Sequence, residues 1–182
     1  MDAIKNLLSL RSTREFVDRP IPDEVVRDIL EAARWCGSSR NSQPWQFLVV
    51  KDRATLQKLA EIIPFGKHLG GAALGIVVVM EGEGSGASLD AGRVSQNILL
   101  AAHAHGVGSC IATLPNEETE KQAMQLLGVP PGNGLRVTIS LGYARPLTPE
   151  EKAERARRPN RGRKPLGELV HDGRYGQRAA AT

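Results

Sequence analysis

The chain carries the octapeptide SSRNSQPW, residues Ser38 to Trp45, between a predicted helix and a predicted strand. Gly37 ends the helix and residues 46–50 form the strand, so the octapeptide is a tight loop with hydroxyl groups, amides and free backbone N–H donors. Asn41 and Gln43 each offer a donor and an acceptor, which suits the carbonyl and imide edge of a heterocycle. The stretch alone leaves a second interpretation open, in which turn residues precede a core tryptophan.

A second informative stretch is RSTREF, residues Arg11 to Phe16, which follows a short amphipathic segment. Arg11 and Arg14 are three residues apart, so around a helix end they can face the same way. Ser12 adds a hydroxyl group between them, and a guanidinium donates to phosphate in a planar fork. The alternative that this stretch leaves open is a pair of solvated arginines with nearby carboxylates as partners.

Composition predicts one globular domain, residues 1–182, with a basic extended C-terminal arm over residues 147–182. Residues 151–182 hold 9 Lys/Arg against 4 Asp/Glu, a net charge of +5, whereas residues 1–150 hold 15 against 16, a net charge of −1. Such an arm could bind nucleic acid, but aromatic residues make up only 4% of the chain, so we expect no nucleic-acid partner. Apolar runs too short for a bilayer predict no membrane partner. Two cysteines and no signal-peptide pattern predict a cytoplasmic protein.

Apolar periodicity predicts four or five helices and about four strands, which indicates an α+β or layered α/β domain. Local features sharpen this prediction. The β-branched run Ile76 to Met80 is typical of a central strand buried on both faces. Leu135 to Leu141 alternates apolar and polar residues, so this strand should have one wetter face. We expect a loop at Gly82 to Gly86, core packing for Trp35, and a buried position for Cys110 rather than a nucleophilic role. The predicted strands cover residues 46–50, 76–80, 109–113 and 135–141.

Taken together, the two stretches resemble the FMN-dependent nitroreductase family. Members have an R-S-x-R-x-F segment after a first helix and an S-S-x-N-x-Q-P-W segment before the first long strand, as Arg11–Phe16 and Ser38–Trp45 do here. Further similar segments are Gly106–Cys110 after a long helix, Leu141–Tyr143 at a strand end, and Arg163–Glu168 near the C-terminus. The five segments follow the family's order over nearly the whole chain.

The resemblance implies a nitroreductase-like fold: a central, mainly antiparallel sheet of four or five strands flanked by helices, with the C-terminal arm exchanged across a homodimer. Each of two interface sites would hold one non-covalent FMN. By similarity, its phosphate faces Arg11 and Ser12, its pyrimidine edge faces Arg14, and residues 111–113 lie beside the ring. The full set of implied cofactor-binding residues is Arg11, Ser12, Arg14, Ser38, Ser39, Asn41, Ile111, Ala112, Thr113, Arg161 and Arg163, with the loop serines supplied by the partner subunit.

The implied activity is ping-pong hydride transfer from NADH or NADPH through FMN to an electron-poor acceptor, such as a nitroaromatic or a quinone. Alternatives are dehydrogenase or reductive dehalogenase chemistry on the same flavin, or a flavin- or anion-binding protein without turnover. We nominate no catalytic acid or base, and no metal site, because His103 and His105 point to opposite sides of a helix. Leu10 stands where many members have a further arginine, and Lys67 or His68 could border the pocket.

Overall fold

The computed structural model describes residues 2–82, 85–157 and 162–178, which divide into two units, residues 1–145 and 146–182. The first unit contains the sheet and five helices in its described part. The helices are α1 (Ala3–Ser9), α2 (Asp23–Arg34), α3 (Arg53–Ile62), α4 (Ser85–Ala104) and α5 (Glu117–Leu127), and the strands are β1 (Trp45–Val50), β2 (Leu74–Glu81), β3 (Gly108–Thr113) and β4 (Asn133–Gly142).

The four strands form one antiparallel sheet in the order β1-β2-β4-β3. Helices pack on both faces of this sheet, because α2 and α4 contribute to one cluster of buried side chains and α3 and α5 to the other. The predicted α+β fold with a central antiparallel sheet flanked by helices is therefore confirmed. The exchange of the arm across a dimer stays a prediction.

Strand β2 lies at the centre of both hydrophobic clusters. Ile76, Val78 and Met80 face the α2/α4 cluster, whereas Val77 and Val79 face the α3/α5 cluster. The prediction of a strand buried on both faces is thus confirmed. Truncating one of these side chains to alanine would cost about 2–5 kcal/mol of the free energy of unfolding, since it leaves a cavity in a packed core.

The prediction of a wetter face on β4 is wrong. Thr138 and Ser140 alternate with apolar residues as the sequence indicates, yet both are fully buried. Their hydroxyl groups find acceptors across the sheet, because Thr138 donates to the Ala112 carbonyl and Ser140 to the Cys110 carbonyl. The pairing of β2 with β4 also shifts by one residue between Val78 and Val79, so Leu135 faces the opposite side of the sheet from Val137.

Two further local predictions need correction. Residues 82–86 were expected to form a loop, but α4 begins at Ser85, so the last two of them are helical. Trp35 was expected in the core, yet 74% of it is exposed, and its indole N–H donates to the Glu31 carboxylate at 2.8 Å. Trp35 lies one residue beyond the end of α2, where the helical periodicity of the core stripe no longer applies. Cys110 is buried, as predicted.

The second unit contains a helix, α6 (Pro149–Arg157), and a short 3-10 turn, Leu166–Glu168. Beyond it, the rings of His171 and Tyr175 stack with centroids 4.5 Å apart, and His171 forms a β-bridge with Arg178. In neither described unit is any helix both long and apolar enough to cross a membrane. A single domain over residues 1–182 with an arm over 147–182 stays a prediction.

Candidate functional site

The RSTREF stretch is fixed by its backbone to the start of β3 and the end of β4. Ser12 forms a parallel bridge with Ser109, and the Thr13 N–H donates to the Ser109 carbonyl at 2.9 Å. Phe16 forms an antiparallel bridge with Ala144. The stretch therefore lies beside the strand whose far end was predicted to border the flavin ring.

Two glycines of the predicted motifs make this close approach possible. A Cβ added to Gly108 would lie 2.7 Å from the Cβ of Thr13, and one added to Gly142 would lie 2.8 Å from the ring of Phe16. Either contact is too short for real atoms, so a side chain at these positions would push the stretch away. Three of the five similar segments thus meet in one place.

Arg11 closes the C-terminal end of α1. Its Nη1 donates to the carbonyls of Leu8 at 2.8 Å and Leu10 at 2.7 Å, which the end of a helix leaves unpaired. A guanidinium has five N–H donors, so three remain for another acceptor. Arg11 and Ser12 are both exposed, and a phosphate can reach them from solvent.

Arg14 lines a cavity of about 280 Å³ together with Pro64, Phe65, Lys67 and His68. Among the residues that the structure describes, none forms an ion pair with Arg14. The side chain is exposed, as is Lys67 beside it. This cavity is therefore a cationic recess, suited to an anionic or strongly electron-accepting group.

His68 forms the buried wall of the same cavity. Its Nδ1 lies 2.7 Å from the Ser140 hydroxyl, but its Nε2 is buried and has no hydrogen-bond partner among the described residues. Burial, followed by the charge of Arg14, holds the pKa of His68 below its ordinary value, although the Ile111 backbone acts in the opposite direction. An orphaned buried nitrogen beside a cationic recess fits a site that binds a polar ring, because leaving such an atom unpaired is costly.

Strand β3 supplies the predicted residues Ile111, Ala112 and Thr113. Ile111 and Thr113 are exposed, whereas the Ala112 side chain is buried in the α3/α5 cluster, so Ala112 can face a ligand only through its backbone. Strand β3 is at the edge of the sheet, so its backbone pairs with β4 on one side only. On the other side Ser12 pairs with Ser109, and the backbone groups of the residues after Ser109 can contact a ligand. Of these residues, Ile111 lies near His68, because its backbone and the charge of Arg14 both act on the pKa of that ring.

The SSRNSQPW loop lies elsewhere in the first unit. The Ser38 hydroxyl accepts from the Gln43 N–H at 2.8 Å, and Ser39 and Asn41 are exposed. At the base of the loop, the Arg93 guanidinium of α4 lies close to Gly37, because a Cβ added to Gly37 would be only 2.8 Å from it. Among the described residues, no hydrogen bond or ion pair joins Arg11, Ser12 or Arg14 to this loop. Their union across a subunit interface remains a prediction.

The last two predicted residues belong to the C-terminal unit. Arg161 lies outside the described residues. Arg163 is exposed within that unit. Their predicted contact with a phosphate stays a prediction.

The sequence named His68 only as a residue that could border the pocket, and it gave no sign of Ser140. His68 is one of four histidines and belongs to no recognisable spacing. The available signal was the polar residue in the alternating pattern of β4, which was interpreted as solvent-facing. A buried hydroxyl needs partners, and Ser140 has two, the Cys110 carbonyl and the His68 ring.

Comparisons with known proteins show which family the chain is similar to. The model of the nitroreductase family matches residues 7–64 and 65–143. A relative from Archaeoglobus fulgidus named "Putative NADH dehydrogenase/NAD(P)H nitroreductase" is 38% identical over 148 residues, which cover 78% of this chain and 85% of the relative. A solved structure under the same name from Parabacteroides distasonis is 27% identical, with a TM-score of 0.83, and covers 96% of this chain and 99% of that one. An FMN-dependent nitroreductase from Clostridium difficile is 29% identical, with a TM-score of 0.75, over 80% of this chain and 89% of that one.

The family match includes both motif stretches, all four strands and the cavity beside Arg14. The similarity also extends over most of each relative's own length. The chain therefore belongs to the nitroreductase family.

Proposed function

We propose that the protein is an FMN-dependent oxidoreductase that passes electrons from NADH or NADPH to an electron-poor acceptor, such as a nitroaromatic or a quinone. The observation that carries this proposal is the cationic recess lined by Arg14, Lys67 and His68, whose buried Nε2 has no hydrogen-bond partner among the described residues. The names of the similar proteins, which mention NAD(P)H and FMN, support it.

In this proposal the residues present hold FMN without a covalent bond. Arg11 and Ser12 bind the phosphate together with Arg163 and Arg161, and Arg14 neutralises the pyrimidine edge. When bound, FMN would accept a hydride from the nicotinamide and pass it to the acceptor. The protein's part is to orient the ring against residues 111–113 and to keep a fixed positive charge where reduction adds negative charge.

We further propose a homodimer with the flavin at the interface. Helix α1 contacts α4 through polar residues. Asn6 donates to the Leu100 carbonyl at 3.0 Å, and the Ser9 hydroxyl lies 2.9 Å from the His103 ring. Its apolar side chains, Ile4, Leu7 and Leu8, are 52–66% exposed. An apolar face that the described residues leave exposed supports burial against a second copy. In the dimer, Ser38, Ser39 and Asn41 would come from the partner of the subunit that supplies Arg14.

The test is anaerobic reconstitution with FMN followed by rapid mixing with NADH or NADPH. We expect tight flavin binding, loss of the yellow absorbance with at least one nucleotide, and its return on adding a nitroaromatic or quinone. Riboflavin, which lacks the phosphate, should bind more weakly because it makes no contact with Arg11. Protein that binds no flavin would refute the proposal, and bound flavin that neither nucleotide bleaches would favour a binding protein without turnover.

The two cysteines, Cys36 and Cys110, are both buried and free, which supports a reducing compartment such as the cytoplasm.

A further inference from the structure

His68 is a buried imidazole that is held on one side only. The Ser140 hydroxyl, which also lies 3.3 Å from the Cys110 carbonyl, contacts Nδ1 and fixes the plane of the ring. Nε2 is left without a partner among the described residues, and 7% of the residue is exposed. The ring is therefore held through Nδ1, while its buried Nε2 has no hydrogen-bond partner in the described chain and the residue lines the recess beside Arg14.

The charges around this ring come from a few segments. Arg14 comes from the RSTREF stretch and Lys67 from the 3-10 turn Lys67–Leu69, and both line the cavity together with His68. Helix α3 packs on the same turn, but its charged Arg53 donates to the carbonyls of Gly70 and Ala72, which come after the turn in the chain. No carboxylate forms an ion pair with the ring in the described part of the chain, so the Ile111 backbone is the group that favours a proton on it.

The balance changes when a negative charge enters the recess. Burial and Arg14 keep the pKa of His68 low, whereas the Ile111 backbone favours the protonated ring. An anion beside Arg14 would offset the charge of that guanidinium and stabilise an imidazolium. Oxidised FMN has a neutral ring system, and the hydride adds one negative charge to it. The reduction state of the cofactor would thus decide the protonation of His68.

We propose that His68 takes up one proton from solvent when the flavin is reduced and gives it up when the flavin is reoxidised, a role that rests on the proposed function above. The hydride carries two electrons and one proton from NAD(P)H, which becomes NAD(P)⁺, and leaves one added negative charge at the flavin. His68 binds one proton from water and cancels that charge. When the hydride moves on to the acceptor, the proton follows it or returns to solvent. His68 is thus a charge-compensating residue, not a hydride-transfer group.

The direct measurement is the ring ¹⁵N spectrum of His68 in the FMN-loaded protein near pH 7. The signal is assigned by elimination, with His103, His105 and His171 replaced by glutamine. We expect a neutral ring with oxidised FMN and a charged ring after anaerobic reduction. A ring that stays neutral in both states would overturn the proposal, even if the flavin is bound and reduced normally.

A second measurement follows the midpoint potential between pH 7 and 8. If His68 takes up a proton, reduction of the flavin by two electrons is accompanied by two protons. The equilibrium constant for reduction then decreases about a hundredfold for each unit of increase in pH. In His68→Gln it should shift about tenfold, or ~30 mV for this two-electron couple. The control His105→Gln, whose histidine lies 3.2 Å from Asp28, should keep the wild-type slope. Equal slopes in wild type and His68→Gln would overturn the role of His68 alone, and absence of flavin binding to the wild type would overturn it together with the proposed function.

Discussion

Arg14 and His68 reach one recess from segments that are far apart in the chain, and they affect each other there. Arg14 is exposed, so solvent stabilises its positive charge. His68 is buried, and burial disfavours the charged form of its ring. The pair therefore combines a permanent cation with a group whose charge depends on its surroundings.

Replacing Arg14 with alanine should weaken FMN retention and lower the flavin potential, because reduction then adds negative charge without a neighbouring cation. A tenfold loss of preference for the reduced state corresponds to ~30 mV. Spectroelectrochemistry of the reconstituted variant measures it. Arg14→Lys should retain most of the potential, and Arg27→Ala on α2 should leave it unchanged. A wild-type potential in Arg14→Ala would contradict the assigned position.

His68 should make the apoprotein less stable in mild acid. Its pKa in the folded state lies below the ordinary value of 6.5, so between the two values the unfolded chain binds a proton that the folded chain does not. Stability is therefore full above about pH 6.5 and falls as the pH decreases toward the folded-state value. Urea midpoints at pH 7.5, 6.5 and 5.5 should show this fall in wild type and His105→Gln and a smaller one in His68→Asn. If the urea midpoints of wild type and His68→Asn decrease equally with pH, His68 does not cause the loss of stability in acid.

At this scale the sequence indicated which residue types matter but not what they touch. Arg11 and Arg14 were found from their spacing and their resemblance to a motif. The carbonyl contacts of Arg11 and the orphaned nitrogen of His68 depend on the end of a helix and on a strand far along the chain. Such contacts leave no local pattern.

At the scale of elements, the loop between α2 and β1 has an unusual backbone. Arg40, Asn41 and Gln43 all have left-handed φ values, 52°, 55° and 48°, although none is glycine. The Ser38 hydroxyl holds the loop shut by accepting from the Gln43 N–H. Strain of this kind often accompanies binding sites, and this loop is the one predicted to contact a flavin.

Arg40→Gly should therefore stabilise the protein. A left-handed non-glycine residue destabilises the folded state by about 1–2 kcal/mol, and glycine removes this strain. Glycine is also more flexible in the unfolded chain, which lowers the free energy of unfolding by about 0.5–1 kcal/mol. We expect a net increase of about 0.5–1 kcal/mol in the free energy of unfolding, measured by urea denaturation. Ser39→Gly, at a neighbour with an ordinary φ, should destabilise instead. An equal loss in both variants would mean that Arg40 makes a stabilising contact in the loop.

Helix ends and strand faces differ in how well the sequence predicts them. Asn116 and Gly128 are residue types that begin and end helices, and around α5 the Asn116 side chain accepts from the Thr119 N–H and Gly128 has a φ of 66°. Capping is a local interaction within a few residues. The polar face of β4 was misassigned because the burial of Thr138 and Ser140 depends on partners from other elements.

At the scale of the whole molecule, α1 sets a condition for assembly. Leu8→Ser should leave a monomer's stability nearly unchanged, since the side chain is 66% exposed, but it should weaken a dimer that buries α1. Sedimentation equilibrium of the variant against Lys58→Ser, an exposed position on α3, measures the difference. A Leu8→Ser protein as dimeric as wild type would place the interface elsewhere.

The two units suggest what the arm contributes. Both hydrophobic clusters lie between Ile21 and Tyr143, so a chain ending at Arg145 should fold cooperatively. If Arg163 binds the phosphate, this truncated chain should lose FMN affinity, and full-length Arg163→Ala should lose part of it. Thermal unfolding and flavin fluorescence titration test the two statements separately. Wild-type affinity in the truncated chain would refute the role given to the arm.

The order of the sheet could not be obtained from the chain's own patterns. Four strands were located correctly, but β4 inserts between β2 and β3, and no periodicity within a strand encodes its neighbours. The resemblance to a family supplied the architecture that local reasoning left open.

The bridges of the RSTREF stretch join Ser12 to Ser109 and Phe16 to Ala144. On a ribosome, where a chain grows by about 5–20 residues per second, the first of these segments waits roughly 10 s for the second to be made. Throughout that time two arginines and a phenylalanine remain undocked. A nucleotide-sized ligand held by this stretch can thus be captured only late, by a polypeptide whose synthesis is nearly finished.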